Sequence, residues 1–249
     1  MAAPSWLTAR PIAHRGFHTV TGCIENTLAA AEAAVARNFA IECDLQLTAD
    51  GHAIAFHDDT LDRLTVASGD VALMSLAEIR AVRFRGGDAA IPTLEDLLDL
   101  VDGRVPLVIE LKSRFTGDRN LEAAVAPLLV GYDGPAAVMS FDPASMTAMR
   151  RLAPSIPRGM LGGKWAAADR PTLSVGRRLA NRWLLASPMV RPAFVAWDVT
   201  ALPAWPPLAL RRFFRLPLLA WTVRTEAERE TARQWADQII FEDFDPDAA

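Results

Sequence analysis

Two cysteines, Cys23 and Cys43, are too few for a disulfide framework, so a reducing cytoplasm is the expected setting and Cys43 is expected to pack as a small hydrophobe. Long apolar runs are missing as well. No stretch of about 18 uncharged apolar residues occurs, which excludes a spanning helix from the expected architecture. The opening residues, MAAPSWLTARPIAH, lack a basic segment followed by an apolar one, so no secretory leader is expected. Positive charge is not in excess either. A net charge of −4 and a pI near 5.6 argue against a nucleic-acid partner, because such domains carry a basic face or stripe. No repeat, low-complexity tract or linker divides the 249 residues, and 51% hydrophobic composition is ample for a core, so a single domain over 1–249 is expected. Histidine is also scarce. All four, His14, His18, His52 and His57, lie between Pro11 and Asp62, beside Glu42 and Asp44.

That segment reads as strand, loop, helix, strand, turn, strand. Arg15-Gly16 breaks a short extended run that ends at His14, and Asn26 or Thr27 can cap the Ala-rich stretch from Leu28 to Arg37. From Phe39 to Leu47, Ile41, Cys43 and Leu45 alternate with Glu42, Asp44 and Gln46, so a strand places both carboxylates on one face. Asp50-Gly51 signals a turn, and Ala53 to His57 returns as a second extended run with His57 pointing away from Ile54 and Phe56. His18 in the loop and His52 in the Asp50-Gly51 turn are expected to be ordinary buried or capping histidines.

Downstream, helical patterns separate further short apolar strands. Ser75 with Glu78 has capping-box spacing, and Thr93 begins another capped helix. Eight strands are marked by Ile12, Ile41, Val108, Val138, Gly159, Val195, Ala220 and Ile240, and such alternation implies parallel pairing with right-handed crossovers. The size fits an α/β fold of the (β/α)8 TIM-type barrel, with the Ala53–His57 run as a short hairpin extension after the second strand. A doubly wound open sheet also satisfies the pattern. In a barrel, chemistry sits at the C-terminal strand ends, where His14, Glu42, Asp44, Glu110, Lys112 and Trp221 fall.

In order, His14-Arg15-Gly16, Glu25-Asn26-Thr27, Glu42-Cys43-Asp44, His57-Asp58, Thr60-Leu61-Asp62-Arg63, Pro92-Thr93-Leu94, Glu110-Leu111-Lys112, Ser140-Phe141 and Trp221-Thr222-Val223 resemble the glycerophosphodiester phosphodiesterase family. The resemblance covers nearly the whole chain. It implies the barrel fold and hydrolysis of glycerophosphodiesters to sn-glycerol 3-phosphate and an alcohol. It also implies catalytic roles for His14 and His57, metal ligation by Glu42, Asp44 and Glu110, phosphate contacts from Arg15 and Lys112, and an aromatic substrate contact at Trp221. Two departures stand at the last strands: Arg224 follows Trp221-Thr222-Val223 where the family commonly has Asn, and the closing DGIITD pattern becomes Asp237 to Glu242.

The residues support that chemistry independently. Like charges about 4 Å apart repel by roughly 4 kcal/mol per pair at an effective dielectric of 20, so three converging carboxylates call for a cation. An all-oxygen set suits one Mg2+ or Ca2+, whereas Zn2+ more often takes His or Cys. Two histidines supply a base and an acid near neutrality. Relatives acting on lipids make a lysophospholipase D-like or phospholipase C-like activity the alternative, and a silent binding module the third. From Lys164 to Arg215, cations are interleaved with Trp165, Trp183, Leu184, Leu185, Met189, Phe213 and Phe214. Helices packed on the barrel with solvated arginines would give this pattern, and so would peripheral contact with an anionic membrane through 164–215.

Overall fold

The computed structural model describes residues 3–163 and 174–248. Lys164, Trp165, Asp169 and Arg170 of the basic, aromatic segment lie outside the described residues. Eight parallel strands close on themselves: β1 (Ile12–Ala13), β2 (Ala40–Leu47), β4 (Leu107–Leu111), β5 (Ala136–Ser140), β6 (Arg158–Gly162), β7 (Phe194–Asp198), β8 (Leu218–Val223) and β9 (Gln238–Phe241). Closure comes from β1, which pairs in parallel with both β2 and β9, and it rules out the open doubly wound sheet. β3 (Ala53–Ala55) runs antiparallel to β2, with Leu45 opposite Ala55, and forms the hairpin extension.

Helices cover the outside: α1 (Leu28–Ala36), α2 (Leu76–Ala81), α3 (Leu94–Val101), α4 (Asn120–Val130), α5 (Pro143–Leu152), α6 (Val175–Arg182), α7 (Ser187–Val190), α8 (Trp205–Phe214) and α9 (Glu226–Trp235). Their starts follow local chemistry. Ser75 with Glu78, Thr93 with Asp96 and Thr225 with Glu228 each form a reciprocal capping box, and Thr27 Oγ1 accepts from Ala30 N. Between Lys164 and Pro192, the described part divides into α6 and α7, and Leu184 is core whereas Trp183, Leu185 and Met189 are exposed.

Period-two alternation sorts the strand residues into two layers. Ile41, Cys43, Leu45, Leu107, Ile109 and Leu111 pack outward beneath the helices. Ile12, Ala40, Val108, Leu219 and Ile240 point inward and fill the barrel from its lower end, where Leu7 joins them. A satellite core of Ile54, Phe56, Leu61, Val71, Ile79, Val82, Phe84 and Ile91 lies under the excursion that follows β3.

Candidate active site

The inward phase that starts with those apolar residues continues to the C-terminal strand ends and changes character there. Ile12 leads to His14, Ala40 to Glu42 and Asp44, Val108 to Glu110 and Lys112, Leu219 to Trp221, and Ile240 to Glu242. Of these, His14, Glu42, Glu110, Lys112, Trp221 and Ile240 line a cavity of about 390 Å³, together with Arg15, His57, Phe141, Asp198 and Arg224. Asp44 and Glu110 are direct partners across β2 and β4.

Glu42, Asp44 and Glu110 each offer a carboxylate oxygen within 4.8 Å of the others, and all three are buried. Burial, with Asp44 and Glu110 adding negative charge, pushes the Glu42 carboxyl well above the usual range. At Asp44, burial opposes ionisation, but Lys112, His57 and Arg15 outweigh it and hold the carboxyl far below its ordinary value. Lys112 Nζ stands 2.8 Å from Asp44 Oδ1 and 2.9 Å from Glu110 Oε1, and Arg15 Nε is 3.3 Å from Asp44 Oδ2. Burial would lower the Lys112 pKa, yet the two acids raise it. An ammonium thus already sits between two of the acids, and the third lacks a full cationic partner. That donor set fits an oxygen-preferring divalent ion.

The turn after β1 supports the cluster. Arg15 has φ of 55° and its N–H donates to Glu42 Oε2 at 2.9 Å, while Gly16 at φ 82° comes so close to Ala30 that a Cβ would lie 2.8 Å from its backbone. Asn26, with φ of 56°, does not cap the helix. Its Nδ2 donates to Asp44 Oδ2 at 2.9 Å and its Oδ1 accepts from Asp44 N at 3.1 Å. Glu25 accepts from Arg15 Nη1 at 2.8 Å and from both terminal nitrogens of Arg63.

Each cavity histidine rests on a carboxylate. His14 Nδ1 is 2.9 Å from Glu242 Oε2, and His57 Nδ1 is 2.7 Å from Asp58 Oδ1. Burial pushes the His14 pKa below its ordinary value, with Glu242 pulling partly back. Glu242 itself lies far below the carboxylate range, since bonds from the histidines and the charge of Arg224 outweigh its burial. An ionised Glu242 accepts the Nδ1–H and leaves His14 Nε2 with a free lone pair. Asp58 is likewise lowered: burial opposes this, and Arg63 and His57 prevail. Gln46 Nε2 donates to Asp58 O and ties that loop to β2.

Three supporting residues escape a reading of sequence alone. Glu242 stands in the closing stretch that departs from the family pattern, and its inward phase from Ile240 was the available signal. Arg224, the other departure, places Nη2 at 2.6 Å from Glu242 Oε2, so the two are partners. His18 is buried with Nε2 3.5 Å from Glu242 Oε1, whereas His52 is exposed in its turn. Trp221 meets Phe141 edge-on with ring centroids 5.5 Å apart, and both line the cavity.

The model of the glycerophosphoryl diester phosphodiesterase family matches residues 14–248. A probable glycerophosphodiester phosphodiesterase 1 of Mycobacterium tuberculosis is 33% identical over 175 residues, 61% of this chain and 63% of that protein. A glycerophosphodiester phosphodiesterase of Caldanaerobacter subterraneus is 33% identical over 162 residues, 60% of this chain and 65% of the relative. In both cases the match spans less than two thirds of the relative. Among solved structures, a putative glycerophosphoryl diester phosphodiesterase from Silicibacter pomeroyi superposes with a TM-score of 0.75 at 27% identity, covering 93% of this chain and 89% of that one. An Oleispira antarctica phosphodiesterase in complex with the product sn-glycerol-3-phosphate shares the fold, with a TM-score of 0.77 at 23% identity and coverage of 93% and 92%.

Proposed function

This chain belongs to the glycerophosphoryl diester phosphodiesterase family, and from that premise we propose that it hydrolyses small glycerophosphodiesters to sn-glycerol 3-phosphate and an alcohol. The observation that carries the proposal is one cavity holding two carboxylate-anchored histidines beside three buried acids.

Glu42, Asp44 and Glu110 would hold one Mg2+ or Ca2+. When bound, the ion supplies positive charge to the phosphoryl oxygens and makes a nearby hydroxyl more acidic. Arg15 and Lys112 line the same cavity and add fixed positive charge where the five-coordinate arrangement becomes more negative. Trp221 and Phe141 form the apolar wall.

His14 acts as the base, because burial keeps it neutral and its Nδ1–H is spent on Glu242. Its Nε2 takes the proton of the substrate's own 2-hydroxyl as that oxygen bonds to phosphorus. The bond from phosphorus to the alcohol oxygen breaks, and His57 gives that oxygen a proton. His57 suits the exit side, since its side chain is 32% exposed against 11% for His14. Water then opens the cyclic phosphate with the two roles reversed. An attacking group already tethered beside phosphorus can gain about 7–11 kcal/mol in well-oriented cases, which favours this route over direct attack by water.

The test is turnover of glycerophosphodiesters with and without chelator, and of a 2-deoxy analogue. Chelation or Glu110→Gln should abolish hydrolysis. The analogue should turn over at least about a hundredfold more slowly, two decades at 1.36 kcal/mol each. Full turnover in excess chelator removes the metal from the proposal, and equal rates for the analogue remove the cyclic step.

A further inference from the structure

Large apolar side chains that face solvent gather on one part of the barrel rim. Val175 is 71% exposed, Trp183 50% and Trp205 69%. Val175, Leu179 and Trp183 recur every four residues along α6 and its C-cap, so they share one side. Trp183 and Trp205, with Arg182, line a cleft that reaches Gly163 and Trp197 at the C-terminal ends of β6 and β7. Leu161 and Asp198 of the same two strands line the catalytic cavity, so the apolar rim adjoins its mouth.

The charge of this part is one-sided. Residues 174–216 contain seven arginines and one acid, Asp198, in a chain whose overall charge is −4. Arg177 and Arg182 are exposed and take part in no ion pair among the described residues. We propose that this rim docks on an anionic lipid bilayer, with Trp183 and Trp205 entering the headgroup region and Arg177 and Arg182 meeting lipid phosphates. Indole rings with one apolar body and one polar N–H suit that interface, and cations beside them add attraction to anionic lipid. A second copy of the chain fits less well, since a symmetric contact would set the same arginines against each other. No helix of the described residues is long and apolar enough to cross a membrane, so the contact is peripheral. Docking would turn the cavity mouth toward phosphodiesters at the lipid surface.

Sedimentation with vesicles reads this without any turnover. At low salt, phosphatidylcholine vesicles containing phosphatidylglycerol should carry down at least about tenfold more protein than phosphatidylcholine alone, and added salt should release it as the Debye length shrinks. The double variants Trp183→Ala/Trp205→Ala and Arg177→Glu/Arg182→Glu should each lose the binding, while keeping their circular dichroism and their hydrolysis of a soluble glycerophosphodiester. Equal sedimentation with both vesicles, no sedimentation with either, or a dimer that both variants dissociate would overturn the proposal. Failure of hydrolysis in the soluble assay would touch only the catalytic reading.

Discussion

At the scale of single residues, Glu242 is the side chain on which the most site geometry depends. It accepts from His14 Nδ1, faces His18 and binds Arg224. In the proposed mechanism His14 is the base and must be neutral to work, so activity should rise with pH through the His14 pKa, which burial holds below its ordinary value near 6.5. The Glu242 carboxylate raises that pKa, so Glu242→Gln should lower it and move the acid limb of kcat/KM toward lower pH. The plateau should also fall, by about 10–100-fold, because the amide no longer fixes the tautomer; this is part of the 10²–10⁴-fold available to positioned acid–base groups. A pH–rate profile of the variant checks both effects. An unmoved acid limb with unchanged kcat would show that Glu242 does not position His14. Arg224→Ala removes a partner of the same carboxylate and should act more weakly, since that arginine is itself half exposed.

Among the elements, the excursion after β3 has the clearest separate task. Its satellite core lies beneath the segment carrying His57, Asp58 and Arg63, and Arg114 from the loop after β4 grips it through Asp70. Asp70 also accepts from Ala72 N. The bond from Arg114 depresses the Asp70 carboxyl below its ordinary value. A depressed carboxyl contributes stability that is present above the unfolded pKa, near 3.9, and is lost as pH falls through the folded value. Asp70→Asn should therefore cost about 1 kcal/mol at pH 7, the partial exposure of the pair keeping it modest, and progressively less below about pH 4. Urea midpoints of both proteins at pH 7 and pH 3 measure this. A difference that persists undiminished at pH 3 would assign the effect to packing instead of charge. In the turn after β1, Gly16→Ala should destabilise by about 1–3 kcal/mol, because the turn needs a positive φ and leaves no room beside Ala30.

For the whole molecule, the barrel gathers buried negative charge at one end and leaves it only partly neutralised. Ordinary folds avoid this, since an unpaired buried charge is costly and shifts its own pKa instead. Cation binding by the folded state alone would relieve the repulsion and raise stability. At free metal about 100 times Kd the gain is about 2.7 kcal/mol, or roughly 5–10 °C in Tm for a chain of this length. Mg2+ or Ca2+ should produce such a shift in wild type, and Glu110→Gln should lose it. Identical melting curves with either ion and with chelator would argue that Lys112 and Arg15 are the only cations this cluster takes.

Strand phase, helix caps and the order of motifs are local properties, and they are legible in the sequence. Alternation put Glu42 and Asp44 on one face, Ser75 and Thr93 announced their helices, and eight strands separated by helices implied a parallel barrel. Sequence also placed His14, Glu110, Lys112 and Trp221 at strand ends, where the cavity now opens. Closure itself was not legible, because the pairing of β1 with β9 joins residues more than 220 positions apart and an open sheet has the same local pattern. Asn26 illustrates the same limit at the site: its residue type suits a cap, but the fold brings Asp44 within reach and Thr27 caps instead. Glu242 looked like a departure until the last strand laid it against the first, where it meets His14 and Arg224 together. Leu184 and Trp183 are neighbours in sequence, yet one is core and the other rim, a division set by which side of the chain the barrel covers. Periodicity and capping depend on the nearest few residues, whereas closure, ion pairing and exposure depend on distant parts of the chain meeting, and only tertiary structure decides those.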